Sequence, residues 1–232
     1  MKTIIKEEAK GGLIESVHIP AGKAYLEGDL HVPPGASGIV LFAHGSGSSR
    51  QSPRNQFVAR VIRDSGNATL LFDLLTPAEE IEDNITAELR FNIGLLAQRL
   101  VAATHWVKSQ AEIRQLRIGY FGSSTGGGAA LVAAAELGKT IAAVVSRGGR
   151  PDLAGDALAR VHSPTLLIVG EYDESVIELN EQAFIKLRYE KELKIVPAAT
   201  HLFEEPGALE EVAQLAAEWF RRHLQPRPQT TR

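Results

Sequence analysis

The chain has 232 residues, 44% of them hydrophobic and 23% charged, with a net charge of −3. That length fits one α/β domain better than two, and the slight negative balance without a basic stripe argues against a nucleic-acid partner. No cysteine is present, which excludes disulfides, thiolate metal sites and a cysteine nucleophile.

At the N-terminus, Ile4-Ile5 is followed at once by Lys6-Glu7-Glu8, unlike the apolar core of a signal peptide. No apolar run reaches the length of a membrane span. The expectation is one cytoplasmic domain over 1–232, a monomer or homodimer with no membrane partner. The tail from Gln225, with Pro226 and Pro228, is expected to fray.

Residues 12–32 alternate loosely between apolar and polar and predict two antiparallel strands, Leu13–Ile19 and Tyr25–Val32, ended by Pro33-Pro34-Gly35. The texture then changes. Ile39–Ala43, Thr69–Phe72, Leu116–Phe121, Ile141–Ser146, Thr165–Val169 and Leu193–Val196 are short apolar runs, suited to parallel strands buried on both faces. Helical patterns lie between them at Phe57–Arg63, Thr86–Gln110, Thr125–Leu137, Val176–Tyr189 and Ala208–His223. In the longest, Leu89, Ile93, Leu96, Leu100 and Val107 form one stripe. The acidic stretch Glu79, Glu80, Glu82 and Asp83 reads as an exposed helix start or loop. This alternation predicts an α/β fold, a mostly parallel sheet with helices on both faces. The short stretch between Ser146 and Thr165 leaves no room for a cap domain.

Three loops after predicted strands carry the chemistry. Gly122-Ser123-Ser124-Thr125-Gly126 holds G-x-S-x-G between a strand and a helix. The pattern alone is not specific; the context is. A sharp turn there forces its central residue into a strained conformation, needs small neighbours, and lifts the Ser124 hydroxyl to the sheet edge. A phosphate-binding loop is the competing reading, but the Gly-Lys-Ser/Thr of a P-loop is missing. Ser123 is a rival nucleophile, one position early.

A serine hydroxyl needs an imidazole to take its proton and a carboxylate to orient that imidazole. Asp173 follows the strand Thr165–Val169, with Glu171 and Glu174 as possible substitutes, and His201 precedes the last helix. The order Ser124, Asp173, His201 is the one that α/β-hydrolases use. Negative charge on an acyl oxygen calls for two backbone N–H donors. Thr125, after the nucleophile, is one; Ser46, in the loop His44-Gly45-Ser46-Gly47, is the other. His44 reads more readily as a brace for that loop than as a base or metal ligand. No pair among His18, His31, His105, His162 and His223 has metal-ligand spacing.

These motifs, with Gly170-Glu171-Tyr172-Asp173 and Ala199-Thr200-His201, resemble the α/β-hydrolase superfamily, and within it the dienelactone-hydrolase-like branch, over roughly residues 12–224. The chain also looks similar to hydrolase domains found joined to phosphoribosyltransferases in bacteria. The resemblance implies cofactor-free hydrolysis of esters, lactones or related acyl compounds. The chain departs from the branch in lacking the cysteine nucleophile of the dienelactone hydrolases proper. It also has Ser123 where Ala or another small residue is frequent, and Ala198 where Gly is more usual.

The expected function is therefore a serine hydrolase acting on a small ester, lactone or thioester through an acyl-enzyme on Ser124. An acyltransferase on the same residues, or a catalytically silent binding domain on this fold, are the alternatives. Arg147 and Arg150 follow a strand at the same sheet edge and could clamp a carboxylate or phosphate, or could form a solvated loop with a local Arg–Asp pair. Asp73 is expected to shape the pocket floor, with Leu74, Leu75 and Phe203 as an apolar wall.

Overall fold

A computed structural model describes residues 5–7 and 12–225 of the chain; the predicted tail lies, beyond Gln225, outside the described residues. The alternating early segments form β2 (Leu13–Ala21) and β3 (Ala24–Val32), an antiparallel hairpin closed by a two-residue turn at Gly22, whose φ is +67°. A short strand the sequence did not single out, β1 (Ile5–Glu7), pairs antiparallel with β2. The apolar runs become β4 (Gly38–Ala43), β5 (Ala68–Phe72), β6 (Arg117–Ser123), β7 (Ile141–Arg147), β8 (Thr165–Gly170) and β9 (Lys191–Val196).

The sheet order is β1-β2-β3-β5-β4-β6-β7-β8-β9; β3 pairs antiparallel with β5, and every pairing from β5 to β9 is parallel. Every residue of β4, β5 and β8 is buried, as continuous apolar runs require. β9 departs from that expectation. It is the edge strand, its Lys191, Glu192 and Lys194 are not buried, and only Val196 is, so charge blunts the open edge.

Helices α1 (Pro53–Asp64) and α6 (Ala208–Leu224) pack together on one face of the sheet. The other face carries α3 (Ile93–Ser109), α4 (Thr125–Leu137) and α5 (Glu174–Lys186). The helix predicted over Thr86–Gln110 begins only at Ile93. α2 (Pro77–Thr86) ends at Ala87 in the left-handed region, and a 3₁₀ turn (Leu89–Phe91) precedes α3. Asn92 opens α3 by accepting the Leu95 N–H at 3.0 Å, a cap that cuts across the hydrophobic stripe. The acidic stretch is α2 itself, and Asp83 is buried, not exposed. Between β7 and β8, 3₁₀ turns over Pro151–Arg160 pack on α4 in place of a cap domain.

One topological fact positions the site. The chain leaves β4 toward β5 on one side and returns as β6 on the other. The loops after β4 and β6 therefore diverge at their C-terminal ends, where open α/β sheets form their binding crevice.

Candidate active site

The turn from β6 to α4 is the tightest point of the chain. Ser124 sits at φ 50°, ψ −122°, a conformation that costs a non-glycine residue about 1–3 kcal/mol. Its N–H donates to the Arg147 carbonyl at 3.2 Å, and its own carbonyl accepts from Gly127 and Arg150, each at 3.0 Å. The neighbours must be glycine. A Cβ on Gly122 would lie 2.5 Å from the Gly126 carbonyl oxygen, and one on Gly45 would lie 3.0 Å from the Ser124 Cβ. The β4 loop is thus pressed directly against the serine.

Asp173 and His201 meet across the same edge. His201 Nδ1–H donates to Asp173 Oδ2 at 2.6 Å, which leaves Nε2 of a neutral imidazole as the acceptor. The two loops are latched independently of that bond. Tyr172 N–H donates to the Ala199 carbonyl at 2.9 Å, Glu171 N–H to the Val196 carbonyl at 3.0 Å, and Ala198 N–H to Glu171 Oε2 at 2.7 Å. Glu171, weighed as a substitute acid, thus spends its carboxylate on the loop that carries His201. Gly148 packs against the imidazole: a Cβ there would lie 3.4 Å from its Cε1 and Nδ1.

Ser124 and His201 line one cleft together with Gly45, Ser46, Ser48, Ser52, Ser123, Arg54, Arg147 and Leu202, about 540 Å³ of empty space open to solvent. A second hollow of about 470 Å³ shares Gly45, Ser46 and Ser48 with it and runs under α2, past Leu74, Leu75, Leu96 and Thr125. Ser46 and Thr125, the two predicted oxyanion donors, touch at this junction through their hydroxyls, 3.1 Å apart.

His44 lines the second hollow and braces it. Its Nε2 accepts the Leu74 N–H and its Nδ1–H donates to the Gly45 carbonyl, both at 3.0 Å. Burial pushes its pKa down, outweighing that hydrogen bond and the charges of Asp73 and Glu80, so both ring nitrogens are spent on loop structure. Asp73, expected at the pocket floor, lines this hollow but is held by Arg50, through its backbone N–H at 2.7 Å and its guanidinium. Asp83 accepts from Arg90 Nε at 2.6 Å and from its backbone N–H at 3.0 Å. Burial alone would raise the Asp83 pKa, but the Arg90 hydrogen bonds and charge prevail and hold it below the usual range.

The two predicted substrate arginines part company. Arg150 is bidentate to Asp152 at 2.8 and 2.7 Å, and the Ser124 cleft is lined by Arg147 without it. Arg147 is 7% exposed, its Nε is buried without a partner, and it stands over the Phe203 ring at 5.6 Å. Phe203 is therefore a buried platform, itself at φ 56°, rather than a wall of the cleft. Arg54, at the start of α1, is a cleft residue that sequence reasoning missed, and nothing local marks it. Among the described residues no group of His, Asp or Glu could hold a metal ion, and no helix is long and apolar enough to cross a membrane.

The chain matches the dienelactone hydrolase family over residues 35–225. It is 59% identical to a dienelactone hydrolase from Anabaena variabilis, whose crystal structure superposes with a TM-score of 0.91 over 92% of this chain and 99% of that one. The fold is also that of the esterase Est1E from Butyrivibrio proteoclasticus, at a TM-score of 0.75 and 17% identity over 89% of this chain and 98% of that one. A Mycobacterium tuberculosis protein provisionally named a phosphoribosyl transferase is 56% identical over 211 residues, 90% of this chain and 46% of its own. The chain thus spans about half the length of that curated relative. Sequence match and superposition agree: the chain belongs to the dienelactone hydrolase family of the α/β-hydrolase superfamily.

Proposed function

We propose that the protein is a serine hydrolase that cleaves a small ester, lactone or thioester through an acyl-enzyme on Ser124. The observation that carries this reading is the 2.6 Å His201–Asp173 bond beside a serine held at positive φ in the same cleft. Ser124 Oγ bonds to the acyl carbon while its proton passes to His201 Nε2, and Asp173 stabilises the resulting imidazolium. The charge on the acyl oxygen is met by the N–H groups of Thr125 and Ser46, at the N-terminus of α4, where the helix dipole favours an anion. His201 then gives its proton to the leaving oxygen or sulfur as the acyl bond to it breaks. Water attacks the acyl-serine, its proton goes to His201, and the acid leaves with Ser124 regenerated.

A fluorophosphonate probe read by intact mass and peptide mapping tests the reading. One adduct on Ser124, absent in Ser124→Ala and much slowed in His201→Ala, is expected. No adduct, or one on Ser123, overturns it. The transferase name belongs to a protein about twice as long, and the half that aligns is the half described here. The family match of that half favours hydrolysis.

A further inference from the structure

The cleft beside Ser124 holds more donors than acyl hydrolysis uses. Among the described residues, Arg147 has no ion-pair partner, and its buried Nε has no hydrogen-bond partner. The charge that acts on it is that of Arg54, of like sign. The Ser123 hydroxyl, in a residue 4% exposed, and Arg54 Nε are likewise buried without partners, and all three residues line the cleft. Glu204, 2.8 Å from Arg54, is largely exposed, and among the described residues no carboxylate pairs with Arg147.

Helix α1 starts at the same wall. Its N-cap Ser52 makes no side-chain capping bond and its first turn holds no acidic residue. Pro53 has no N–H and the Ser52 N–H donates to the Ser49 carbonyl at 3.1 Å, so the first-turn N–H groups of Arg54 and Asn55 are the ones that favour an anion in front of them. Burying a guanidinium without a counter-charge is expensive. Here it is seated over an aromatic residue that itself sits at positive φ, strain of the kind that collects at ligand sites.

We propose that this arm of the cleft binds the phosphate group of a phosphorylated acyl ester, with Arg147, Arg54, Ser123 and the start of α1 as donors; the proposal rests on Ser124 being the acylated residue. A phosphate brings three acceptor oxygens and a charge of about −1.5 to −2, enough to face two guanidinium groups, a hydroxyl and a helix N-terminus at once. A planar carboxylate, with two oxygens and one charge, leaves part of that set unmatched. Burial holds the Arg147 pKa down at about 10, with the Arg54 charge adding to it, so the group is cationic at neutral pH.

Three acetate esters of similar size decide the matter: 2-acetoxyethyl phosphate, 3-acetoxypropanoate and 2-methoxyethyl acetate, each followed by acetate release. The phosphate ester is expected to show a kcat/KM about 30-fold or more above the other two. Arg147→Met should lower the phosphate-to-neutral ratio by roughly 30-fold, as loss of one partner of a buried charge pair does. Arg147→Lys should lower it less, and Arg150→Met, whose charge Asp152 already meets, should keep it.

Inorganic phosphate should raise the melting temperature of the unaltered protein and compete with the neutral ester, and Arg147→Met should lose both effects. Equal rates on phosphate and neutral esters, or a preference for the carboxylate ester, overturn the proposal, and neither result needs a variant. If none of the three esters nor p-nitrophenyl acetate is hydrolysed, the reading of Ser124 fails instead. The thermal shift with inorganic phosphate then decides the anion site alone.

Discussion

Two arms of one crevice treat charge in opposite ways. Under α2, every arginine has its carboxylate: Arg50 holds Asp73 and Glu27, Arg90 holds Asp83, and Arg99 reaches Glu79 at 2.6 Å. Beside Ser124, Arg147 has none. The same chain builds closed pairs where a charge serves the fold and leaves one open where a ligand can close it. A buried charge is thus informative through its partners, not through its burial.

The largest effect that tests this contrast lies in the open arm. Ser124→Ala and His201→Ala should each lower ester turnover by about 10⁴-fold or more, with little change in melting temperature, as measured by stopped assay and calorimetry on the same samples. A comparable loss of stability would mean that these residues hold the fold, and the contrast would collapse. In the closed arm the signature should invert. Arg90→Ala strands the Asp83 carboxylate, which is 2% exposed, and should lower the melting temperature by several degrees. An unchanged melting curve would show the pairs under α2 to be ornamental.

Arg147 sharpens the comparison in the other direction. Its pKa lies at about 10, below the ordinary arginine value. Keeping it charged therefore costs the folded state of the order of 3 kcal/mol at every pH below about 10, a cost relieved only as pH rises through that value. Arg147→Met should accordingly raise the melting temperature by roughly 6–12 °C at pH 7, while Arg50→Met in the paired arm lowers it. A fall for both would mean that Arg147 has a counter-charge in the folded protein.

The smallest effect concerns His44. Burial lowers its pKa below the unfolded value, so the unfolded chain binds the extra proton first as pH falls. Its contribution should weaken stability below about pH 6.5, by up to roughly 1.4 kcal/mol per pH unit. His44→Gln should flatten that slope in urea melts at pH 5 and 7. An unaltered slope would put the titration elsewhere, His223 being the other histidine whose pKa burial lowers.

What could be read in advance follows from how local each cause is. Helix α4 spans Thr125–Leu137 as expected because glycine follows at 138 and a strand-ending turn precedes it. The loops of Ser124 and Asp173 were legible because each follows a strand with an unambiguous apolar run, and that of His201 because it lies between a short strand and the last helix. The late start of α3 was not legible from hydrophobic period: Leu89 lies in the 3₁₀ turn before it yet continues the stripe of Ile93, Leu96, Leu100 and Val107. The start of α2, in the acidic stretch, did carry a local signal, since Thr76-Pro77-Ala78-Glu79 is a capping box with proline at the first position. Both of its hydrogen bonds are present, Thr76 N–H to Glu79 Oε2 at 2.7 Å and Glu79 N–H to Thr76 Oγ1 at 3.2 Å. Arg54 had no such signal. It joins Arg147 only because α1 and the end of β7 open on the same crevice, a relation that the sheet order creates and no window of sequence contains.

The latch between the Asp173 turn and the His201 loop has a mechanical consequence. Gly170 lies so close to the Ala199 carbonyl that no side chain fits between the two segments. Three further hydrogen bonds, those of Glu171, Tyr172 and Ala198, tie them together. Asp173 and His201 are therefore carried on two loops tied into one piece, and breathing of the cleft is expected to fall between that piece and the Ser124 turn. The Tyr172 and Ala198 amides should exchange with deuterium at one shared rate, set by the opening of the piece as a whole rather than by either loop.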